Sequence, residues 1–218
     1  DNMKNSLTLK NELIFQYAAG ISSMSKSMMA ATYLYLNSKE IKLYSQFENY
    51  CGQELGKTDK VYPTKLTMED CVNDADNDKI NNKNLPRTKN PLNTIIKDFN
   101  NISWKKIFNG FYEYKIEFNR SESAKLIKID PGAKVPLHSH NGREYILVLD
   151  GSFCDEYGTY LKGNLQINDS KIKHTPVANA IEGCICLTIT EDDLVFYGPF
   201  APILNLFTFI KSLFSYQK

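Results

Sequence analysis

The sequence predicts a mainly β protein that carries a small α-helical unit in front of a β-barrel. Apolar residues recur three and four positions apart through the first quarter of the 218 residues, and they alternate with polar residues after position 93. Apolar spacing of three and four residues is typical of amphipathic helices, and alternation of apolar and polar residues is typical of strands. Residues 73–84 lie between the two regions and are almost free of apolar side chains. We therefore predict a helical domain at 1–60, a polar linker at 61–92 and a β-barrel domain with a C-terminal helix at 93–218.

Three amphipathic helices are expected in the N-terminal domain. Gly20 is placed to end the first, because glycine readily adopts the left-handed conformation found at helix C-termini. Ser22 and Ser23 can cap the second helix. The third has an apolar face that runs from Leu43 to Leu55 at helical spacing. Together they predict a small helical bundle.

Short apolar runs separated by turn residues indicate the strands of the C-terminal domain. The predicted strands fall at 110–118, 124–129, 145–149, 184–190 and 194–197. Turn residues lie at 130–132, 141–142, 150–151 and 162–164. Many short strands at this spacing are typical of an all-β sandwich or barrel.

Composition and charge argue against several classes of protein. The chain has 26 basic and 25 acidic residues, so its net charge of +1 creates no field that would attract a nucleic acid. The most apolar stretch, 194–210, is interrupted by prolines and is shorter than the ~20 residues that a membrane helix needs. Five cysteines, without a signal peptide before them, argue against a disulfide framework. We expect a cytoplasmic protein with no direct nucleic-acid or membrane partner.

The three histidines of the chain all lie in the β region, at His138, His140 and His174. Residues two apart on a strand point to the same face, so the first two imidazoles are expected side by side. The Asn-Gly pair that follows them favours a hairpin, whose returning strand would bring Glu144 opposite the imidazoles. His174 could complete a four-ligand site from a later strand. Nitrogen and oxygen ligands of this kind suit zinc, iron, manganese, nickel or copper, and ligand type alone does not choose among them.

A resemblance to a known family rests on these same residues. The segment from Gly132 to Gly151 fits the first cupin motif, G-x5-H-x-H-x3-E-x6-G, without a mismatch, and Gly163 and His174 fit positions of the second motif. A longer likeness covers nearly the whole chain. The segments GSFCDEYGTYLKGN and HTPVANAIEGCICL resemble the cupin domain of ChrR-type anti-sigma factors, and YAAG and ATYLYL resemble the helical domain of that family.

The resemblance implies a cupin double-stranded β-helix barrel in which His138, His140, Glu144 and His174 bind one divalent metal. Zinc is the metal expected first, with iron, manganese or nickel as alternatives. The resemblance also implies that the helical domain binds a sigma factor of the extracytoplasmic-function group. An oxidant or small ligand at the cupin domain would then release the sigma factor, as part of an oxidative stress response.

The chain departs from the family in its helical domain, where the family holds a second zinc. The four corresponding positions offer no thiolate or imidazole; they are Thr8, Tyr33, Asn37 and Glu40. We therefore predict no zinc in the helical domain. Asn37 and Glu40 are predicted to form a capping box for the third helix instead. Burial of aromatic side chains is expected to add stability, from Tyr33, Tyr35, Tyr44 and Phe47.

Two pairs of residues near the predicted metal site have open interpretations. Cys184 and Cys186 lie on one predicted strand with both thiols on one face. They are either a redox-sensitive pair near the metal or two small buried side chains of the barrel. Asp155 and Glu156 are expected at a solvated hairpin edge, with orientation of an imidazole as the alternative.

Two classes of function remain in competition. The first is a transcription regulator, in which the helical domain binds a sigma factor and the metal-binding cupin domain senses an oxidant or small ligand. The second is a cupin metalloenzyme, dioxygenase-like or isomerase-like, that acts on a small molecule. The regulator is favoured, because no fourth histidine is present to serve as a proton shuttle and an enzyme would not need the helical domain. A homodimer is compatible with either class.

Overall fold

The computed structural model describes residues 2–56, 90–96, 99–118, 123–192, 194–199, 201–202 and 205. The chain divides into two compact units, 1–97 and 98–218. Most of the predicted linker lies outside the described residues, so its boundaries at 60 and 92 stay predictions. The predicted C-terminal helix also lies outside them, apart from helical positions at 201, 202 and 205.

Three helices form the first unit, as the sequence predicted. They are α1 (Asn2–Ala18), α2 (Met24–Leu36) and α3 (Ile41–Gly56). Gly20 follows α1 with a φ of 70°, in the left-handed region where glycine is favoured. The Ser23 side chain accepts a hydrogen bond from the Lys26 backbone N–H and caps α2. No helix in the described part of the chain is long and apolar enough to cross a membrane.

The predicted capping box of α3 is wrong. Asn37 serves the preceding helix instead, since its Nδ2 donates to the Tyr33 carbonyl oxygen at the end of α2, 3.0 Å away. A 3-10 turn at Ser38–Glu40 then separates α2 from α3. The Glu40 carboxylate accepts hydrogen bonds from Lys10 Nζ at 2.9 Å and from the Tyr33 hydroxyl at 3.3 Å. These contacts connect α1 and α2 to the start of α3.

The core of the first unit is apolar and partly aromatic. The rings of Phe15 and Phe47 meet edge to face with their centroids 5.5 Å apart. Tyr33 is buried as expected, but Tyr35 is 47% exposed, so the predicted burial of that ring is wrong. The buried apolar residues of this unit are Leu13, Ile14, Phe15, Met29, Ala30, Tyr33, Leu34, Phe47, Cys51, Leu92 and Ile96.

The described residues of the second unit contain ten strands. They are β1 (Lys105–Phe108), β2 (Phe111–Ile116), β3 (Ser123–Ile129), β4 (His138–His140), β5 (Glu144–Asp155), β6 (Gly158–Leu161), β7 (Leu165–Asn168), β8 (Val177–Ala178), β9 (Cys184–Thr190) and β10 (Leu194–Phe196). One sheet has the order β1-β2-β3-β9-β5-β6, and β7 and β8 also pair with β5. β4 and β10 form a separate two-stranded sheet. The expectation of a mainly β protein with a helical N-terminal unit is confirmed.

β5 is the central element, because it pairs with four other strands. Its first half pairs with β9 and β7, and its second half pairs with β6 and β8. The predicted turn at 150–151 is wrong, since the strand continues through these residues to Asp155. The register against β9 shifts between Val148 and Asp150, and Gly151 has a φ of 66°. A β-bulge therefore bends β5 at this point.

Candidate metal centre

Four side chains from separate segments meet inside the second unit. His138 and His140 lie on β4, Glu144 begins β5, and His174 precedes β8. One potential ligand atom from each residue lies within 4.8 Å of the other three, and all four residues are buried. The structure thus brings together the four residues that the sequence singled out.

The way in which they meet differs from the predicted hairpin. β4 pairs with β10, where His140 lies opposite Leu194, and does not pair with β5. Gly142 lacks the positive φ that the expected two-residue turn requires. Glu144 reaches the imidazoles from the other sheet, where Asn168 is its register partner. The prediction of a single hairpin is therefore wrong, although the ligand set it was meant to assemble is present.

His174 is held against β4 by its backbone. The N–H of His174 donates to the carbonyl of His138 at 3.0 Å, and the N–H of His138 donates to the carbonyl of His174 at 3.1 Å. This isolated antiparallel bridge places the two residues directly opposite each other. Their rings lie 4.5 Å apart, measured between centroids.

Hydrogen bonds at the outer nitrogens determine the tautomers of these two rings. His138 Nδ1 lies 2.8 Å from the Pro136 carbonyl oxygen, and His174 Nδ1 lies 3.0 Å from Asp155 Oδ2. Both oxygens are acceptors, so each Nδ1 carries the proton and each Nε2 keeps a lone pair when the ring is neutral. The two Nε2 atoms face each other at 3.1 Å. Two lone pairs at this distance repel each other unless a proton or a cation lies between them.

His140 adds a third nitrogen without a hydrogen bond of its own. Its Nε2 lies 2.8 Å from Glu144 Oε2, yet within the described residues neither ring nitrogen has a partner in hydrogen-bonding geometry. A buried polar atom left in this way costs about 1–3 kcal/mol. Glu144 Oε2 also lies 3.6 Å from His174 Nε2 and accepts a hydrogen bond from Asn168 Nδ2 at 3.2 Å. The donor atoms therefore fit a cation at their centre.

The charge states of the cluster suit a metal ion at neutral pH. Burial lowers the pKa of His138 to about 4, so its ring is neutral. Burial by itself raises the pKa of Glu144, but the neighbouring imidazoles, His140 first, lower it to about 2. Metal ligands must be deprotonated, and these two groups already are. Three imidazole nitrogens and one carboxylate could hold one divalent ion of zinc, iron, manganese or nickel.

Asp155 and Glu156 have different environments. The prediction of a solvated edge is confirmed for Glu156, which is exposed and accepts a hydrogen bond from the Thr175 N–H at 2.8 Å. It is wrong for Asp155, whose side chain is 0% exposed and contacts His174. Burial raises the pKa of Asp155, but hydrogen bonds from His174 and Gln166 outweigh that effect and lower it. The Asn168 and Gln166 amides donate hydrogen bonds to the Glu144 and Asp155 carboxylates, respectively. Sequence reasoning did not identify these two residues, since a single amide side chain carries no sequence signal for such a contact.

Cys184 and Cys186 lie in the apolar core beside this site. Both are buried and pack with apolar residues such as Val148 and Phe153. Contact with Cys184 and burial raise the pKa of the Cys186 thiol well above its ordinary value, with a further contribution from the charge of Glu144. The surroundings of Cys186 therefore favour its thiol form. The redox role of the pair stays a prediction.

Three of the four helical positions aligned with the family's second zinc site lie close together, but none of the four residues offers a thiolate or an imidazole. Thr8 is exposed on α1, and Tyr33, Asn37 and Glu40 take part in the hydrogen bonds described above. In the part of the chain that the structure describes, the cluster around Glu144 is the one group of three or more potential metal ligands.

Comparisons with known proteins agree with the sequence motifs. Residues 93–192 match the family described as the ChrR Cupin-like domain. The chain is 28% identical over 193 residues to the Anti-sigma-E factor ChrR of Cereibacter sphaeroides, a match that covers 86% of this chain and 91% of that protein. The crystal structure of Rhodobacter sphaeroides SigE in complex with the anti-sigma ChrR gives a TM-score of 0.67 at 28% identity, covering 83% of this chain and 96% of that chain. The resemblance predicted from the sequence is confirmed.

Proposed function

We propose that this chain, a homologue of the anti-sigma factor ChrR with a cupin domain, is itself a transcription regulator of the anti-sigma type. Its first unit (1–97), called the helical unit below, would bind a sigma factor of the extracytoplasmic-function group in the cytoplasm. Its second unit (98–218), called the cupin unit below, would sense an oxidant or a small ligand. The observation that carries this proposal is the extent of the likeness to ChrR. The match covers 86% of the chain, so it must include residues of both units, since neither unit alone is that long.

The metal part of the proposal rests on the cluster itself. His138, His140, Glu144 and His174 would hold one divalent ion, and zinc is the first candidate because it favours four nitrogen and oxygen ligands. A bound ion would supply a fixed positive charge among three imidazoles and a carboxylate. Because β4 and β5 belong to different sheets, the ligands would also join the two sheets of the unit.

Sensing requires a difference in free energy between two states. A stimulus can release a partner only if it interacts differently with the bound and released forms. Displacement of an imidazole from the site would leave a buried nitrogen unpaired between the two sheets and would destabilise their arrangement. This would release the partner if the partner-bound form requires that arrangement. Should the stimulus be an oxidant, Cys184 and Cys186 would react only after the unit opens, because both side chains are buried and burial also raises the pKa of the Cys186 thiol.

The alternative function, a metalloenzyme acting on a small molecule, has less support. All three histidines of the chain belong to the cluster, which leaves no imidazole to move a proton. The cluster offers four protein ligands, whereas a catalytic zinc typically has three protein ligands and keeps the fourth position open for water or substrate.

Purified components test the regulator directly. The full chain is mixed in turn with each extracytoplasmic-function sigma factor of its host, and complex formation is followed by size-exclusion chromatography. We expect a 1:1 complex with at least one of them and inhibition of transcription from its promoters by core polymerase. Transcription with the housekeeping sigma factor is the control and should not change. If none of these sigma factors forms a complex, the proposal is wrong.

A further inference from the structure

Asp155 is not a member of the ligand cluster, yet it contacts one of the ligands directly. Its Oδ2 lies 3.0 Å from His174 Nδ1, and both side chains are 0% exposed. A carboxylate only accepts hydrogen bonds, so the imidazole donates from Nδ1. Nε2 of the same ring is then left with its lone pair, and it is this atom that faces His138 Nε2 at 3.1 Å.

The Asp155 carboxylate is itself held in one orientation. Its Oδ2 also accepts a hydrogen bond from Gln166 Nε2 at 2.7 Å. Its Oδ1 accepts from the backbone N–H groups of Tyr157 and Gly158, at 2.8 and 3.1 Å. Four donors therefore satisfy this buried carboxylate, and rotation of the group would break at least two of these bonds.

Gln166 is positioned for this task by its strand. It is 4% exposed and lies on β7, two residues before Asn168. The side-chain amide of Asn168 likewise donates a hydrogen bond to a carboxylate, that of Glu144. Alternate residues of a strand share a face, so both amides point towards the cluster side of β7. Gln166 Nε2 lies within hydrogen-bonding distance of a second oxygen, the Tyr160 hydroxyl at 2.8 Å.

The bulge in β5 explains why Asp155 is on the inner face. Glu144, Ile146 and Val148 alternate along that face, opposite Thr190, Thr188 and Cys186. Without the bulge, this alternation would turn Cys154 inward and Asp155 outward. With the register shift, Phe153 and Asp155 point inward, and Cys154 is exposed.

We propose that Asp155 is a positioning residue of the metal centre, which fixes the tautomer and orientation of His174 so that Nε2 is presented to the ion, and that Gln166 holds Asp155 in place. This inference rests on the proposed metal site. Partners of this kind at the far nitrogen of a ligating histidine typically change metal affinity by 10- to 100-fold.

Metal affinity of the full-length protein tests the proposal. The probes are zinc(II), measured by competition with a chromophoric chelator, and cobalt(II), whose visible spectrum reports the ligands. For Asp155→Asn we expect 10- to 100-fold weaker binding and an altered cobalt spectrum, because an amide cannot accept hydrogen bonds at both of its ends. A purely structural role would lower the stability of the metal-free protein and leave the cobalt spectrum of the folded fraction unchanged.

Asp150→Asn is the matched control. It makes the same change of charge on the same strand, but Asp150 is exposed and pairs with Lys162, so affinity should equal that of the unaltered protein. Equal affinity and an equal spectrum for Asp155→Asn would overturn the inference and leave the metal site standing. Should the unaltered protein bind neither metal, the proposed site and the inference both fail. If Asp155→Asn does not fold, the same measurement is made on Gln166→Leu. A metal affinity that this substitution leaves unchanged would also overturn the inference.

Discussion

Within the cluster, burial is the main reason why the His138 ring is neutral. An exposed histidine has a pKa near 6.5, but burial lowers that of His138 to about 4. Its Nδ1 proton is committed to the Pro136 carbonyl, so a further proton would have to enter at Nε2, which faces another nitrogen at 3.1 Å. The folded protein therefore resists protonation of this ring, and the unfolded chain does not.

This difference predicts a pH dependence for the metal-free protein. The unfolded chain takes up a proton at His138 below about pH 6.5, and the folded protein does so only near pH 4. The free energy of unfolding should therefore fall as the pH decreases through this window, by on the order of 1 kcal/mol per pH unit. Urea unfolding in EDTA at pH 7.5, 6.5 and 5.5 measures it. His138→Gln should show a weaker dependence, and a free energy that rises as the pH falls would contradict the assignment.

Sequence reasoning identified the four residues of the cluster, but it gave contact with an imidazole only as the alternative for Asp155 and did not separate this residue from Glu156, for a physical reason. Histidine and glutamate are ligating side chains, and their spacing in a motif identifies them. Asp155 carries the same carboxylate as its exposed neighbour Glu156, so nothing in the local sequence separates the two. Their difference depends on the segment around His174, which runs antiparallel to the end of β5 through the pairing of Cys154 with Val177.

At the level of the elements, local signals located the helices better than the strands, and they did not give the strand pairings. The three helices and five of the ten described strands, β2, β3, β5, β9 and β10, follow from the repeat of apolar residues and from turn residues. The pairing of β4 with β10 joins residues more than fifty positions apart, and no local pattern encodes it. The Asn-Gly pair after His140 resembles a hairpin turn, but Gly142 does not adopt the required positive φ, so tertiary packing determines the path there.

The bulge in β5 depends on a glycine, and this predicts the effect of a single methyl group. Gly151 has a φ of 66°, and a Cβ at this position would overlap the Gly183 carbonyl oxygen. Gly151→Ala should therefore lower the free energy of unfolding by about 1–3 kcal/mol. Thermal and urea unfolding of the full chain measure the change.

Gly158→Ala is the control for this substitution. Gly158 lies on β6 and has no positive φ, and a Cβ there would lie an ordinary 4.0 Å from the Tyr160 hydroxyl oxygen. Its stability should stay within about 0.5 kcal/mol of that of the unaltered protein. Equal stability of the two alanine variants would show that the bulge tolerates a side chain.

For the molecule as a whole, the two units are stabilised by different means. The described residues of the helical unit are held by an aromatic and aliphatic core and by the hydrogen bonds of Glu40 with Lys10 and Tyr33. The cupin unit contains a cluster of buried polar groups that a cation would satisfy. Removal of metal should therefore lower the stability of the cupin unit and leave that of the helical unit unchanged.

Hydrogen exchange followed by mass spectrometry can measure the two units separately in the full chain. On addition of EDTA, amides of β4 and of the first half of β5 should exchange faster, by roughly 100-fold if the metal had been present at 100 times its dissociation constant. Amides of α1, α2 and α3 should keep their protection, because we propose that no metal stabilises them. His174→Ala is the control, since the variant should exchange fast in β4 with or without EDTA. Loss of protection in the helices on chelation would show that a metal stabilises that unit as well, and would contradict the proposed division between metal-bound and metal-free units.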